Sequence, residues 1–285
     1  MADDVRVEDI GYWSELKLEI IDKYARAYSR IVSPRFHHVY IDAFSGAGIN
    51  LSRSTGKLVA GSPLNALHVE PPFREYHLVD TDGEKAALLR TLAEQASSRW
   101  SGDERPLVRV YEGDCNVVLP AAVLPTVRYD EYKRGLCLLD PYGMHLDWSV
   151  VEMAGQLKTI DLFLNFPIMD INRNALRRDP GAVTEASRWR MTSFWGDESW
   201  QRLGYRDRLT LFGDEPQKVE NEAIVSAYCE RLKKVAGFKQ VIRPLPMCNR
   251  NNAVVYYLVF ASQQNVAGNI VGDIFDSYRG RCTSA

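Results

Sequence analysis

The chain has 285 residues, of which 46% are hydrophobic and 25% are charged, and its formal net charge is −2. These values are ordinary for a globular protein whose core needs no disulfides or metals, built as one large α/β domain or one domain with a sizeable insertion. The small net charge excludes a whole-protein attraction for nucleic acid, so that only a local basic patch can provide one.

The N-terminal part of the chain predicts a helix, a strand and a loop. Apolar residues recur every 3.6 positions over 12–32, which predicts a helix with Ser14 as its N-cap and Pro34 beyond its end. Residues 38–42 predict a short buried strand that runs into a glycine-rich turn. We expect the long polar segment 49–61 to be a mobile loop over a binding site.

The alternation of strands and helices continues to residue 167. Gly61-Ser62-Pro63 predicts a helix start, with Ser62 as the cap and Pro63 at the first helical position. The remaining elements are strands at 75–80, 107–112, 136–140 and 160–166 and helices at 83–96 and 148–156. This order predicts a parallel sheet covered on both faces.

The pattern changes after residue 167. The stretch 170–217 is polar, Arg-rich and aromatic, and we expect it to be helical in pieces. The later elements are a helix at 219–235, strands at 238–244 and 254–261 separated by a hairpin loop over 246–252, and a last helix at 265–278. A parallel sheet that ends in an antiparallel hairpin, beside a glycine-rich first turn, favours the Rossmann-like class I methyltransferase sheet over that of a nicotinamide dehydrogenase.

We therefore expect one domain over 1–285, with an N-terminal helix within 1–35 and an Arg/aromatic-rich insertion at 168–217. The five cysteines are widely spaced without a Cys-x-x-Cys pair, which is typical of reduced thiols in a cytoplasmic protein. The acidic N-terminus does not read as a signal peptide, and no apolar run approaches the roughly 20 residues that span a bilayer.

Polar residues follow four of the predicted strands: Asp42, Asp80, Asp114 and Asp140. Ligands of open α/β sheets bind beyond the carboxyl ends of the strands. At such positions Asp80 is placed to accept hydrogen bonds from ribose hydroxyls, Asp114 from the amine of adenine, and Asp42 from an ammonium group.

The turn Phe44-Ser45-Gly46-Ala47-Gly48 follows Asp42 and contains no phosphate-binding lysine. Gly46 and Gly48 let a ligand lie close to the backbone. Together with the aspartates, this turn predicts a site for S-adenosylmethionine, a cofactor with adenine, ribose and an ammonium but no phosphate. A lone aspartate after a strand can instead cap the next helix, which is the interpretation that we prefer for Asp82 and Asp147.

Asp140-Pro141-Tyr142 resembles the short stretch that follows the fourth strand of amino-methyltransferases acting on adenine, although here one proline is missing. In those enzymes the acidic or amide side chain and a backbone carbonyl accept hydrogen bonds from the target amine, and the aromatic ring stacks on the base. The competing interpretation is a turn in which Asp140 caps a helix. Asn165 lies at the end of the next strand and Arg173 follows it, and both are expected to face the substrate. No group of residues has metal-ligand spacing.

The segment 173–208 contains eight arginines, no lysine and five interleaved aromatic residues. Arginines beside aromatic rings suit nucleic-acid phosphates and bases. They equally suit a protein partner, since Trp, Tyr and Arg dominate interface hot spots. A third interpretation is a small helical subdomain with an aromatic core. All three remain open.

Several stretches together resemble the three-Cys-motif partner proteins, a bacterial group with a class I methyltransferase-like fold. They are Trp13-Ser14-Glu15-Leu16-Lys17-Leu18 with Tyr24, the turn at Tyr40 to Gly48, Gly61-Ser62-Pro63, Leu139 to Met144, Phe166-Pro167 and Phe194-Trp195-Gly196-Asp197. The resemblance implies a fold that binds S-adenosylmethionine and an association with a radical-SAM-like protein that carries the three-cysteine motif.

The sequence thus supports a methyltransferase that acts on an amine of a nucleic-acid base. A non-catalytic partner subunit of a radical-SAM-like three-Cys-motif protein is the alternative, and a small-molecule methyltransferase is a weaker one.

Overall fold

An eight-stranded sheet forms the centre of the computed structural model, which describes residues 8–280 apart from 103–104, 211–212 and 250. The strands of the described chain are β1 (Glu8–Ile10), β2 (His37–Asp42), β3 (Ile49–Ser52), β4 (Leu58–Ala60), β5 (Glu75–Asp80), β6 (Leu107–Glu112), β7 (Lys133–Leu139), β8 (Ile160–Phe166), β9 (Tyr205–Thr210), β10 (Gly213–Lys218), β11 (Gln240–Val241), β12 (Leu245–Cys248) and β13 (Val254–Ser262). The helices are α1 (Tyr12–Val32), α2 (Ser62–Leu67), α3 (Gly83–Ser97), α4 (Cys115–Val118), α5 (Trp148–Leu157), α6 (Ile168–Asn174), α7 (Glu185–Trp195), α8 (Ser199–Gly204), α9 (Asn221–Lys234) and α10 (Asn265–Arg279).

The central sheet has the order β11-β13-β8-β7-β2-β5-β6, and β12 also pairs with β13. Strands β6, β5, β2, β7 and β8 are parallel, whereas β13 runs antiparallel to β8. The expected Rossmann-like class I methyltransferase sheet, mostly parallel with an antiparallel end, is therefore confirmed. Strand β2 lies in the middle, with its glycine-rich turn between the ends of β5 and β7.

Two hydrophobic clusters cover the two faces of the sheet. On β2, Val39 and Ile41 face one cluster and Tyr40 the other, and all three are fully buried. Alternate residues of a strand point to opposite faces, so a strand covered on both sides is apolar throughout. This accounts for the continuous apolar run that marked β2 in the sequence.

The prediction of a mobile loop at 49–61 is wrong. The segment forms a hairpin of β3 and β4, and β1 pairs with β3 in parallel. Its polar residues lie in the tip, where Gly56 has a φ of +66° and donates to the carbonyl of Ser52 at 2.8 Å. The polar composition correctly indicated the turn at the tip but gave no sign of the short strands on either side of it.

Two further boundaries differ from expectation. Helix α1 begins after Gly11, so Ser14 lies inside the first turn and is not its N-cap. The predicted loop at 246–252 contains most of β12, whereas the strand predicted at 238–244 shrinks to β11. Pro246 misled the prediction because proline is normally a strand breaker. Here Pro246 lies in β12, an edge strand whose partner in the sheet is β13. An edge strand tolerates the missing N–H of proline.

The Arg-rich stretch is helical in pieces, as expected, through α6, α7 and α8, but it continues into the unanticipated hairpin β9–β10. Cys115, Cys137 and Cys229 are free thiols, in agreement with the expectation of reduced cysteines. That expectation is wrong for Cys248, which is disulfide-bonded. Among the described residues, no helix is both long and apolar enough to cross a membrane.

Candidate functional site

A cleft of about 870 Å³ lies beyond the carboxyl ends of β2, β5, β6, β7 and β8. Eight of the residues expected at the site line it, namely Phe44, Gly46, Asp80, Asp114, Asp140, Pro141, Tyr142 and Asn165. Asp42, Gly48 and Arg173 are not among the lining residues. The fold thus brings the four strand ends to one place, as parallel strands require.

The glycine-rich turn is tied to the end of β5. The backbone N–H of Gly46 donates to Asp80 Oδ2 at 2.8 Å, and Asp80 Oδ1 accepts from the N–H of Asp82 at 2.9 Å. Ser45 accepts from the N–H of Val79 through its hydroxyl at 3.1 Å. The carboxylate of Asp80 therefore fixes two loops and presents its remaining lone pairs to the cleft.

Both glycines of the turn have a left-handed backbone, with φ of +61° at Gly46 and +82° at Gly48. A β-carbon at Gly46 meets no atom within 4 Å, whereas one at Gly48 lies 3.1 Å from Leu89 Cδ1. Gly46 therefore leaves open space at the floor of the cleft. Gly48 permits close packing against α3.

Asp42 shapes the turn from inside. It is fully buried, and its Oδ1 accepts from the backbone N–H of Phe44 at 3.2 Å. Burial, together with the smaller effect of the neighbouring carboxylate of Asp140, raises the pKa of Asp42 to about 7. Asp42 can therefore affect a ligand in the cleft in two ways, through the charge of Asp42 and through the turn that its carboxylate supports.

Asp114 caps α4, since its carboxylate accepts from the N–H of Asn116 at 2.8 Å. Asn116, which sequence reasoning missed, donates to the carbonyl of His145 at 2.9 Å and accepts from the N–H of Asp147 at 2.8 Å. These bonds join the end of β6 to the loop that follows β7. Asp82 caps α3 as expected, whereas Asp147 occupies the N-cap position of α5 without a side-chain bond to that helix.

Lys17 is the main residue that sequence reasoning missed. It projects from α1, is 6% exposed, and forms an ion pair with Asp140 Oδ2. Its ammonium lies 5.5 Å from the ring centre of Tyr256. The available signal was a lysine beside Leu18 on the apolar face of α1, because a buried lysine is rare unless it is paired.

Asn165 has a buried oxygen without a partner. Its Nδ2 donates to the carbonyl of Pro141 at 3.2 Å, which fixes the orientation of the amide because that carbonyl can only accept. Its Oδ1 has no hydrogen bond to any described residue, although Asn165 is only 7% exposed. Buried acceptors are normally satisfied, so Oδ1 is available to a donor from a ligand.

Two exposed aromatic rings line the same cleft. Tyr142 is 79% exposed and its hydroxyl contacts Glu8, which also pairs with Lys85. Trp189 on α7 is 69% exposed. Rings left in water at a cleft supply apolar faces for a planar ligand.

The rest of the Arg/aromatic segment divides into two groups. Phe194, Trp195 and Trp200 are buried, which agrees with the interpretation of a local aromatic core. The seven arginines from Arg173 to Arg206 form no ion pair with a carboxylate of the described chain, and only Arg190 lines the cleft. The segment therefore combines a packed interior with a basic exterior.

The lining of the cleft is acidic overall. It includes seven carboxylates, of Glu8, Asp9, Asp80, Asp82, Asp114, Asp140 and Asp147, and four cationic side chains, of Lys17, Arg53, Lys85 and Arg190. The described residues contain no cluster of His, Cys, Asp and Glu suited to a metal ion. A cleft of this charge favours a ligand that carries positive charge.

No protein-family model matches the chain, and no curated protein matches it. Among solved structures, the chain is similar to protein LPL1258 of Legionella pneumophila, a DUF519 protein, with a TM-score of 0.50, 12% identity and coverage of 93% of this chain and 92% of that one. It is also similar to Trm1 from Pyrococcus horikoshii in complex with S-adenosyl-L-methionine (TM-score 0.46, 12% identity, 89% of this chain and 56% of that one). A third similar structure is the methyltransferase domain of bacterial CtHen1-C (TM-score 0.43, 11% identity, 88% of this chain and 98% of that one). At such identities the similarity concerns the fold.

Proposed function

We propose that the protein is an S-adenosylmethionine-dependent methyltransferase that acts on an exocyclic amine of a nucleic-acid base. The observation that carries the proposal is the unpartnered, buried Oδ1 of Asn165 beside Asp140-Pro141-Tyr142. An amine offers two N–H donors, and Asn165 together with Asp140 offers two acceptors.

The residues present fit the cofactor. Asp80 at the end of β5 and Asp114 at the end of β6 suit the ribose and the adenine, and the open space at Gly46 suits a ligand lying on the turn. Phe44 lines the same wall, and Asp42 and Gly48 support the turn from behind. When bound, S-adenosylmethionine supplies an activated methyl group on a positively charged sulfur.

The chain's residues would act mainly by positioning. Asp140 and Asn165 hold the two hydrogens of the amine, so that the nitrogen lone pair points along the cleft. The carboxylate of Asp140 stabilises the positive charge that develops on the nitrogen as its new bond forms, and the proton then leaves to solvent. Pro141 contributes through its carbonyl, which orients Asn165.

Tyr142 and Trp189 support a nucleic-acid base as the acceptor. Both rings are exposed in the cleft, and aromatic stacking holds bases with little regard to sequence. Arg190 lies beside Trp189, within reach of a backbone phosphate. Arg173 is exposed on α6 outside the cleft. We propose that it contacts the same nucleic-acid strand at a phosphate farther from the cleft.

The resemblance to the three-Cys-motif partner proteins supports a second candidate, a partner subunit of a radical-SAM-like protein. The observation that favours it is the arginines on α6, α7 and α8 that form no ion pair among the described residues, since Arg and Trp also dominate protein interfaces. A small-molecule methyltransferase is the third candidate. In each case the proposed location is the cytoplasm.

Calorimetric titration with S-adenosylmethionine tests the cofactor, and absence of binding at any concentration would reject the first proposal. Incubation with labelled S-adenosylmethionine and, in turn, DNA, RNA and cell extract then tests the acceptor. Label in nucleic acid supports the proposal. Cofactor binding without label transfer favours the partner subunit, and label in small molecules favours the third candidate.

A further inference from the structure

A partly buried ion pair lies at the end of the cleft opposite the proposed adenine position. Lys17 and Asp140 form it between α1 and the end of β7, and Asp140 is flanked by the buried Asp42. The order of strand ends across the cleft is β6, β5, β2 and β7. If Asp114 and Asp80 hold the nucleoside over β6 and β5, the rest of the same ligand extends over β2 to β7.

The amino-acid end of S-adenosylmethionine carries an ammonium and a carboxylate. The carboxylate is difficult to place in this cleft because carboxylates outnumber cations in its lining. Of the four lining cations, Lys85 pairs with Glu8, Arg53 lies 4.0 Å from Asp9, and Arg190 belongs to α7 on the proposed acceptor side. Lys17 alone of the four lies at the end of β7, beside the β2 turn.

We propose that Lys17 binds the carboxylate of the cofactor's amino-acid end while it keeps its contact with Asp140. The inference rests on the proposed function, because it names a subsite for that cofactor. An ammonium has three N–H donors, so Lys17 can serve both carboxylates at once. Its location in a poorly hydrated part of the chain strengthens a charge-assisted bond relative to one in water.

Charge balance supports the assignment. Lys17 contacts the carboxylate of Asp140, and the cofactor's ammonium adds positive charge on the same side of the cleft. Lys17 can therefore direct part of its charge to a ligand carboxylate without leaving Asp140 uncompensated. Lys17 then attracts the carboxylate of the ligand and Asp140 attracts its ammonium. A ligand without the carboxylate keeps only the second of these interactions.

The experiment compares S-adenosylhomocysteine with its decarboxylated analogue, which keeps the ammonium and lacks only the carboxylate. Calorimetry on the wild-type chain should show that the parent binds about 10- to 100-fold more tightly, the range of a charge-assisted bond. Lys17→Met should bring this ratio close to one by weakening the parent alone. Lys17→Arg should retain most of the ratio.

Lys23→Met is the matched control, since Lys23 lies on the same helix but bonds to Tyr278 and Glu19. It should leave the ratio unchanged, and thermal melting checks that each variant is folded. Equal binding of the two ligands by the wild-type chain would overturn the inference and leave the proposed function intact. Failure of both to bind would count against the proposed function itself. A ratio that persists in folded Lys17→Met would overturn the inference as well, and Lys17→Gln, which removes the charge but keeps a polar side chain, replaces that variant if it fails to fold.

Discussion

Asp80 Oδ2 accepts the backbone N–H of Gly46 at 2.8 Å and so couples the end of β5 to the glycine-rich turn of β2. The same carboxylate accepts the N–H of Asp82 at 2.9 Å. One side chain thus organises the two loops on which the proposed nucleoside site depends. Its removal should affect both binding and stability.

Asp80→Ala leaves two backbone N–H groups without their acceptor. We expect the free energy of unfolding to fall by about 1–3 kcal/mol and the affinity for S-adenosylhomocysteine to fall at least about tenfold. Denaturant unfolding and calorimetry measure the two effects. Thr184→Ala, which removes the N-cap of α7 outside the cleft, is the control, with a loss of about 1 kcal/mol in stability and unchanged affinity. Unchanged affinity in Asp80→Ala would argue against the site.

The two glycines of the turn should respond differently to alanine. Both substitutions force a side chain into a left-handed backbone, at a cost of about 1–2 kcal/mol. Gly48→Ala adds a close contact with Leu89 at 3.1 Å and should be the less stable variant. Gly46→Ala directs its methyl into the cleft and should lose more affinity for S-adenosylhomocysteine. The opposite order in either measurement contradicts this description of the turn.

Asn165→Leu separates function from stability. The change removes a hydrogen bond to Pro141 but also removes a buried oxygen without a partner, so we expect the stability to change by no more than about 1 kcal/mol. Methyl transfer to nucleic acid should fall by about 10²-fold or more, because the amine loses an acceptor. Asn172→Leu, which replaces an amide bonded to Asn221 outside the cleft, should leave transfer unchanged. Full activity in Asn165→Leu would exclude the assigned role.

The buried Asp42 predicts a pH dependence of stability. Its pKa is about 7 in the folded chain and 3.8 when unperturbed, so the folded state binds the proton more tightly. Stability from this group is fully present below about pH 4 and is lost as the pH rises towards 7. Asp42→Asn has no carboxyl group at this position and therefore does not lose this stability. The free energy of unfolding of the variant minus that of the wild type should rise by about 2–4 kcal/mol between pH 4 and pH 8.

Denaturant unfolding at several pH values measures this difference. Asp276→Asn, on the exposed side of α10, is the control and should show no comparable trend. A constant difference between Asp42→Asn and wild type across the range would show that Asp42 stays ionised. Residual pH dependence in Asp42→Asn is expected, because burial also raises the pKa of Asp161, to about 6.

The arginines of 173–206, which form no ion pair with a described carboxylate, predict salt-sensitive binding of nucleic acid. The logarithm of the affinity for a labelled oligonucleotide should fall linearly with the logarithm of the salt concentration. The double variant Arg178→Gln/Arg190→Gln should reduce the slope by about 1 to 2, since each phosphate contact contributes about 0.7–0.9. Arg26→Gln, which breaks a pair with Asp22 on α1, is the control. A flat salt response in the wild-type chain would instead favour a protein partner for this surface.

Much of the fold followed from the sequence alone. Runs of strand-forming residues located β5, β6 and β8 at their observed bounds, and the run is most continuous in β8, which is buried along its whole length. The aspartates at the ends of β2, β5, β6 and β7 were predicted to meet because parallel strands end at one edge of the sheet. The short strands β3 and β4 were missed, since their pairing with each other and with β1 depends on neighbours distant in the chain.

Only the tertiary structure decided how the site is completed. Lys17 and Asp140 are 123 positions apart, and no local pattern connects them, because their contact depends on how α1 packs across the sheet. The isolated oxygen of Asn165 likewise emerges only when every other donor is in place. Local propensity and periodicity therefore determined the elements and the edge at which a ligand binds. Packing between distant segments determined which polar atoms at that edge are paired and which are left for the ligand.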